Sequence, residues 1–221
     1  QLGLPDRNPA GYPEYRTKRA VLVCTDVRVG GNVIGPSLLR LSTSTAAAVV
    51  IVYNSRISNE FFAVDLLMNN AAATLSVIAG QVALAPGGEE TSTIATARCS
   101  ANASLMLGPG VTVTTCINAG DLNQFCACTT LTVDAGTATV TGSFAITTVT
   151  VRGGTLVSNT SGTITTLTVG DGSADFSRDL RAKTVTNCTL NRGGVISDPY
   201  DVVTFTNNIA LGSDANTMSA A

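Results

Sequence analysis

The chain contains no histidine and no tryptophan, and Asp, Glu, Lys and Arg together make up only 13% of its 221 residues. Without an imidazole there is no Ser-His-Asp or Cys-His nucleophilic centre and no histidine metal site. Aromatic residues at 5% leave few rings on which a sugar or a base would stack. A net charge of −2 supplies no basic field for nucleic acid or anionic lipid, so neither nucleic acid nor membrane is expected as a partner. The basic cluster Arg16, Lys18 and Arg19, beside Glu14, reads as a solvated approach to a strand. No apolar run reaches the roughly 20 residues that span a bilayer. The longest, residues 46–53 (AAAVVIVY), is short and β-branched, as a buried strand would be. Neither common phosphate-binding glycine pattern occurs. The first residue is Gln1 rather than Met, and the expectation is a processed product or the ordered part of a longer chain.

What replaces charge is Gly, Thr, Ala and Val. Hydrophobic residues reach 44%, too many for a disordered chain, so Ser, Thr and Asn must supply much of the polar surface. Six cysteines stand at positions 24, 99, 116, 126, 128 and 188. Their even number permits disulfides, but they are too sparse for a disulfide-built scaffold. Cys126 and Cys128 are two apart, which places both on one face of a strand. With no second pair at matching spacing, a zinc site is not expected, and small buried residues in a narrow core are.

The second half repeats itself. Residues 131–148 (LTVDAGTATVTGSFAITT), 149–166 (VTVRGGTLVSNTSGTITT) and 167–184 (LTVGDGSADFSRDLRAKT) align without a gap, each 18 residues long. Residues 185–204 form a unit two residues longer, and Phe205 starts a fifth copy. Leu131 and Val133, Val149 and Val151, and Leu167 and Val169 alternate with polar residues, the pattern of a strand with one buried face. Phe144 with Ile146 and Leu180 with Ala182 are expected to supply another wall. Gly136, Gly154 and Gly172 share the sixth position and are expected to turn a corner. Eighteen residues divide into three short strands per coil. One such coil cannot bury its own core, but stacked coils can. The expected fold is therefore all-β, a β-solenoid (β-helix). A β-sandwich also uses short alternating strands, but it does not require in-register 18-residue identity.

The first half is less regular. Residues 20–29, 38–42, 47–53, 61–67 and 73–79 read as strands. Residues 74–84 echo the later pattern, with Gly80 at the sixth position counted from Leu75, and residues 111–115 echo it again. Insertions are expected at 85–90 and 118–124. The chain divides into an extended arm or cap (1–19), irregular coils (20–129), regular 18-residue coils (130–211) and a C-terminal tail (212–221).

Thr130-x-Thr132, Thr148-x-Thr150, Thr166-x-Thr168, Thr184-x-Thr186 and Thr204-x-Thr206 recur once per unit. Residues two apart on a strand face the same way, so stacking predicts a two-column threonine ladder. It is similar, in this one motif, to the ladders of insect-type ice-binding solenoids; outward Thr on a solvated sheet is the ordinary explanation. Asp171, Asp175 and Asp179, followed by Asp198 and Asp201, are the carboxylates from which a glycan-cleaving β-helix would draw a catalytic pair. Their Gly and Pro neighbours point instead to turn-forming aspartates. Residues 170–175 (GDGSAD) resemble part of one calcium-binding repeat of toxin-type β-rolls, but that motif works by repetition and occurs here once. Asn102, Asn159 and Asn187 head glycosylation acceptor sequences, which matter only in a glycosylating secretory pathway. No catalytic, cofactor-binding or metal-binding residue is assigned, and no cofactor is expected.

The segment 163–211, through TITTLTVGDG, ADFSRDLRAKTVTNCTL and GGVISDPYDVVTFTNNIAL, resembles β-solenoid structural proteins of tailed bacteriophages. The likeness is one of repeat style and transfers no functional residue. It implies a non-enzymatic virion structural protein, a capsid decoration or tail-associated component on the particle surface. Its partners would be other virion proteins or copies of itself in a homo-oligomer. Glycan-degrading spikes, bacterial adhesins or fibres and ice-binding solenoids are the alternatives that share the style.

Overall fold

A computed structural model describes residues 26–31, 37–41, 47–54, 64–68, 72–88 and 91–212. Among them are sixteen strands and no helix, and every strand pair is parallel. The strands wind as a β-solenoid whose coils each contribute to two sheets. The first sheet runs from Asp26–Gly31 through Ala47–Asn54, Val111–Asn118, Cys128–Val133 and Lys183–Leu190 to Val203–Phe205. The second includes Ser37–Leu41, Val64–Met68, Asp121–Gln124, Thr137–Gly142 and Val195–Ser197. Ala72–Leu84, Ser92–Leu107, Ile146–Thr160 and Thr163–Asp175 are long enough to turn the corner and serve both sheets. Each coil therefore has two hydrogen-bonded stretches, not the three that division of the repeat suggests. The second stretch bends instead of breaking: Leu156, Val157 and Ser158 are consecutive and all buried, which interrupts strict alternation.

The core is a set of columns, one residue per coil. Leu75, Ala97, Cys116, Leu131, Val149, Leu167 and Cys188 stack in one. Ile94, Val113, Cys128, Ile146, Ile164 and Val185 form a second on the same sheet. Across the interior, Val82, Leu105, Leu122, Ala138, Leu156 and Ala174 form a third. All of these are 5% exposed or less. Burying each Val, Leu or Ile contributes about 1.5–3 kcal/mol. A coil obtains that burial only between two neighbours, which is why the repeat must be stacked.

The 18-residue period holds from Cys128 to Ile146 and from Ile146 to Ile164. The next coil differs from the repeat alignment. Ile164 pairs with Val185, and Leu167 pairs with Cys188, so this coil is 21 residues long and Val185 does not stand in the place of Leu167. The extra residues lie in the corner at 176–182. Leu180 (68% exposed) and the exposed Ala182 belong to this loop and do not form a second wall; Val185 fills the core position instead. The expected twenty-residue step to Phe205 is present, since Val185 pairs with Phe205. In the first half the expected strands are present where they are described, though the one expected at 73–79 runs on to Leu84, and Ser92–Leu107 is a strand that the alternation did not mark out. Residues 118–124 are not an insertion: Asn118 ends one strand of the stack and Asp121–Gln124 is another, in a coil shortened to 15 residues between Val113 and Cys128. Residues 85–88 do form a turn outside the strands. The arm (1–19) with its basic cluster, Cys24, and residues 213–221 of the tail lie outside the described residues.

The corner glycines differ in what they supply. Gly136 and Gly154 have φ of +65° and +76°, the left-handed region closed to most side chains. Gly172 has no such angle, but a Cβ there would lie 2.7 Å from the carbonyl oxygen of Gly154. At Gly154 both reasons apply, since a Cβ would lie 2.4 Å from the Gly136 oxygen. Gly154→Ala is therefore expected to destabilise the fold by at least about 2 kcal/mol, lowering the melting temperature by roughly 4–8 °C for a chain of this size. Arg152→Ala, which removes only the exposed 3.3 Å ion pair to Asp134, should leave the melting temperature nearly unchanged.

Candidate functional site

The outer face of the first sheet is a regular surface. Thr130, Thr148 and Thr166 are register partners in successive coils, as are Thr132, Thr150 and Thr168. The first three expected ladder rungs are thus assembled as the repeat predicts. The fourth is Asn187 with Thr189, because the 21-residue coil shifts the phase. Thr184 and Thr204 instead form a separate column with Thr163, one corner away. In the other direction the first column continues through Thr115 and Thr96 to Thr74, while the second passes to Ile117, Arg98 and Ser76.

A third column escaped the T-x-T spacing. Thr129, Thr147 and Thr165 immediately precede the first column and are exposed. Register on either side of them also brings Thr114 and Thr186 into line. The signal was present in the sequence as the doublets at 114–115, 129–130, 147–148 and 165–166. From Thr114 to Thr189 these columns carry no charged residue. Coils repeat at about 4.8 Å and residues two apart on a strand at about 6.6 Å, so the first and second columns form a two-dimensional grid, in which Thr132 is buried and Thr150 and Thr168 are partly exposed.

Four of the five candidate aspartates serve turns, as expected; Asp171 does not, since it lies within the strand Thr163–Asp175. Asp175 Oδ1 accepts from Ser177 N (2.9 Å) and Ser177 Oγ (2.6 Å). Asp179 Oδ1 accepts from Arg181 N (3.1 Å) and pairs with the Arg181 guanidinium. Asp198 accepts from Val202 N and Val203 N. Asp201 holds a φ of +53° in the turn, and Asp171 is exposed on its strand. Lys183, only 3% exposed, donates from Nζ to the carbonyl oxygens of Asp179 and Arg181 and pairs with Asp179 Oδ2 (3.4 Å). Arg181 Nη2 reaches Asn159 O on the preceding coil (2.8 Å), so the corner loop is fastened to the stack at several points. Arg181 holds the Asp179 carboxyl down at about 2, helped by Lys183. At Asp175, partial burial opposes ionisation, but hydrogen bonds from Ser177 and the charge of Arg178 outweigh it and the carboxyl is lowered. A general acid needs the opposite shift.

Cys99, Cys116, Cys126, Cys128 and Cys188 are all buried and free. Desolvation pushes Cys99 and Cys126 up to about 12 and Cys128 and Cys188 up to about 11; Cys116, fully enclosed near Cys128 and Cys126, is also raised. Such thiols stay protonated and are poor ligands and nucleophiles. Among the described residues no cluster of three or more Cys, Asp or Glu is arranged to hold a metal ion.

Sequence reasoning did not anticipate the polar residues inside the stack. Asn118 is fully buried in a core column; its Nδ2 donates to Gly120 O and Ala135 O, and its Oδ1 accepts from Gly120 N, each at 3.2 Å. It ties two corners together from within.

No protein-family model matches the chain, and comparison with curated proteins and with solved structures likewise returns no match.

Two measurements check this account. In native protein the five buried thiols should resist a brief pulse of iodoacetamide and become labelled once the chain is denatured, as read by mass spectrometry. Because the Asp179 carboxyl lies near 2 when folded and near 3.8 when unfolded, its contribution to stability is complete above about pH 4 and lost as pH falls toward 2. The melting temperature should decline over that window, and less steeply in Asp179→Asn.

Proposed function

We propose that this chain is a non-enzymatic structural protein of a virus particle, a bacteriophage capsid decoration or tail-associated component. The observation that carries the reading is that the chemically capable side chains serve the rod itself. Asp175, Asp179 and Asp198 hold corners, the described thiols fill the core, and the buried Lys183 fastens a loop. The two lowered carboxyls favour a structural role over glycan cleavage. The likeness of 163–211 to phage solenoids supplies the setting. Rigid parallel stacks suit a part that must keep its shape outside the cell. Antibodies to the purified chain should decorate isolated particles at a repeated position in immunoelectron microscopy. Label found only on free protein or on cell surfaces would falsify the reading.

The three-column threonine face favours one second reading, binding to an ordered water lattice. In that case purified chain depresses the freezing point below the melting point, and Thr150→Tyr with Thr168→Tyr removes the effect. Absence of thermal hysteresis in the unsubstituted chain removes this reading.

A further inference from the structure

From Asp134 onward, the edge where the chain passes from the first sheet to the second carries one charged residue per coil, and the sign alternates. The residues are Asp134, Arg152, Asp171 and Arg192, and all four are exposed. Register sets them in line. Val133, Val151, Val169 and Leu190 stack one on another. Asp134 and Arg152 come one residue after their column members, and Asp171 and Arg192 two residues after theirs. Coils spaced at about 4.8 Å spread the four charges over roughly 14 Å of the rod. Apart from Asn191, the other residues of these corners (134–136, 152–154, 170–172 and 191–194) are Ala or Gly, so the charged side chains are the ones that project. Asp121, one coil earlier, pairs with Thr137 in the second sheet and lies outside the line.

Within the chain this alternation is only partly used. Arg152 Nη1 reaches Asp134 Oδ1 at 3.3 Å, with the two side chains 67% and 39% exposed. Among the described residues, the side chains of Asp171 and Arg192 have neither a hydrogen-bond nor an ion-pair partner. Two opposite charges one coil apart thus stand in solvent without using each other.

A line of alternating charge is complementary to itself when reversed. Read along the chain it runs negative, positive, negative, positive; read backward it runs the other way. A two-fold axis perpendicular to the rod, midway between Arg152 and Asp171, sets Asp134 against Arg192 of a second copy and Arg152 against Asp171 of that copy. Each pair then occurs twice, as a two-fold contact requires. A parallel copy at the same height would set like charge against like, and one displaced by a single coil would leave a charge unmatched at each end.

We propose that this edge, through Asp134, Arg152, Asp171 and Arg192, binds the same edge of a second copy of the chain, giving an antiparallel pair of rods. Ion pairs so exposed are individually weak and are screened by salt, so the association is reversible and strongest at low ionic strength. It closes at two copies. The proposal goes beyond the particle reading above and does not rest on it.

Sedimentation velocity of the full chain tests it. A dimer is expected at low ionic strength, with a dissociation constant that rises at least about tenfold between about 0.01 and about 1 M salt. Asp171→Arg should weaken pairing at least about tenfold, and Arg152→Asp should do the same, because each sets like charges together twice. The chain carrying both changes should pair again, since the exchanged charges still meet across the two-fold axis. Melting temperatures close to that of the unsubstituted chain would separate lost pairing from lost folding. A chain that is monomeric at low salt overturns the proposal, as it would if its own arm (1–19) occupied the edge. A dimer indifferent to salt overturns it too, and so does one that the double exchange fails to restore, the outcome a parallel, displaced pair would give. None of these results bears on particle labelling, so the two readings fail separately.

Discussion

Parallel hydrogen bonding between one coil and the next, in register, is the constraint on which everything else in this molecule depends. It forces each inward position to be followed by another inward position one coil on. A core only a few side chains across then becomes continuous, and Leu, Val, Ile, Ala and Cys can replace one another along a column as long as the width is kept. The same constraint repeats the outward positions, which is why threonine appears in files and not as scattered residues. The grid on the first sheet is thus a by-product of the core's regularity before it is anything else.

Polar and charged groups have been placed where that regularity is interrupted. Asn118 occupies a core column but spends its amide on the backbone of two corners, so the desolvation of its polar atoms is compensated within the stack. Lys183 does the same for the loop at 176–182, binding carbonyls that the longer corner would otherwise leave open. Each of these residues satisfies the backbone where a corner departs from the common path.

How much of this was legible in the sequence depended on whether coil length stayed constant. From Leu131 to Val169 it did, and the walls, the Gly154 corner and the rungs at Thr148 and Thr166 follow from spacing alone. Beyond Asp175 the corner lengthens. Sequence alignment then preferred the apolar-Thr resemblance of Val185 to Leu167, whereas hydrogen bonding places Cys188 there. The short coil after Val113 hid Asp121–Gln124 for the same reason, since a strand arriving early looks like an insertion. Corners absorb changes in length at little cost to the sheets. A reading based on period therefore loses phase at corners, even where the alternation within each strand remains clear. The third threonine column is hidden for another reason: doublets such as Thr147-Thr148 depart from the strict alternation by which a strand's outward face is recognised.

Because every coil touches only the coil before and the coil after, the longest bridge the chain must close at any step is about one turn of the rod. Folding needs no meeting of distant segments. It can start at the well-matched coils around Ile146 and spread outward, each added layer finding a finished template. Unfolding runs the same course backward, peeling from the ends, so resistance to heat or proteolysis is expected to grow with the number of layers in the rod.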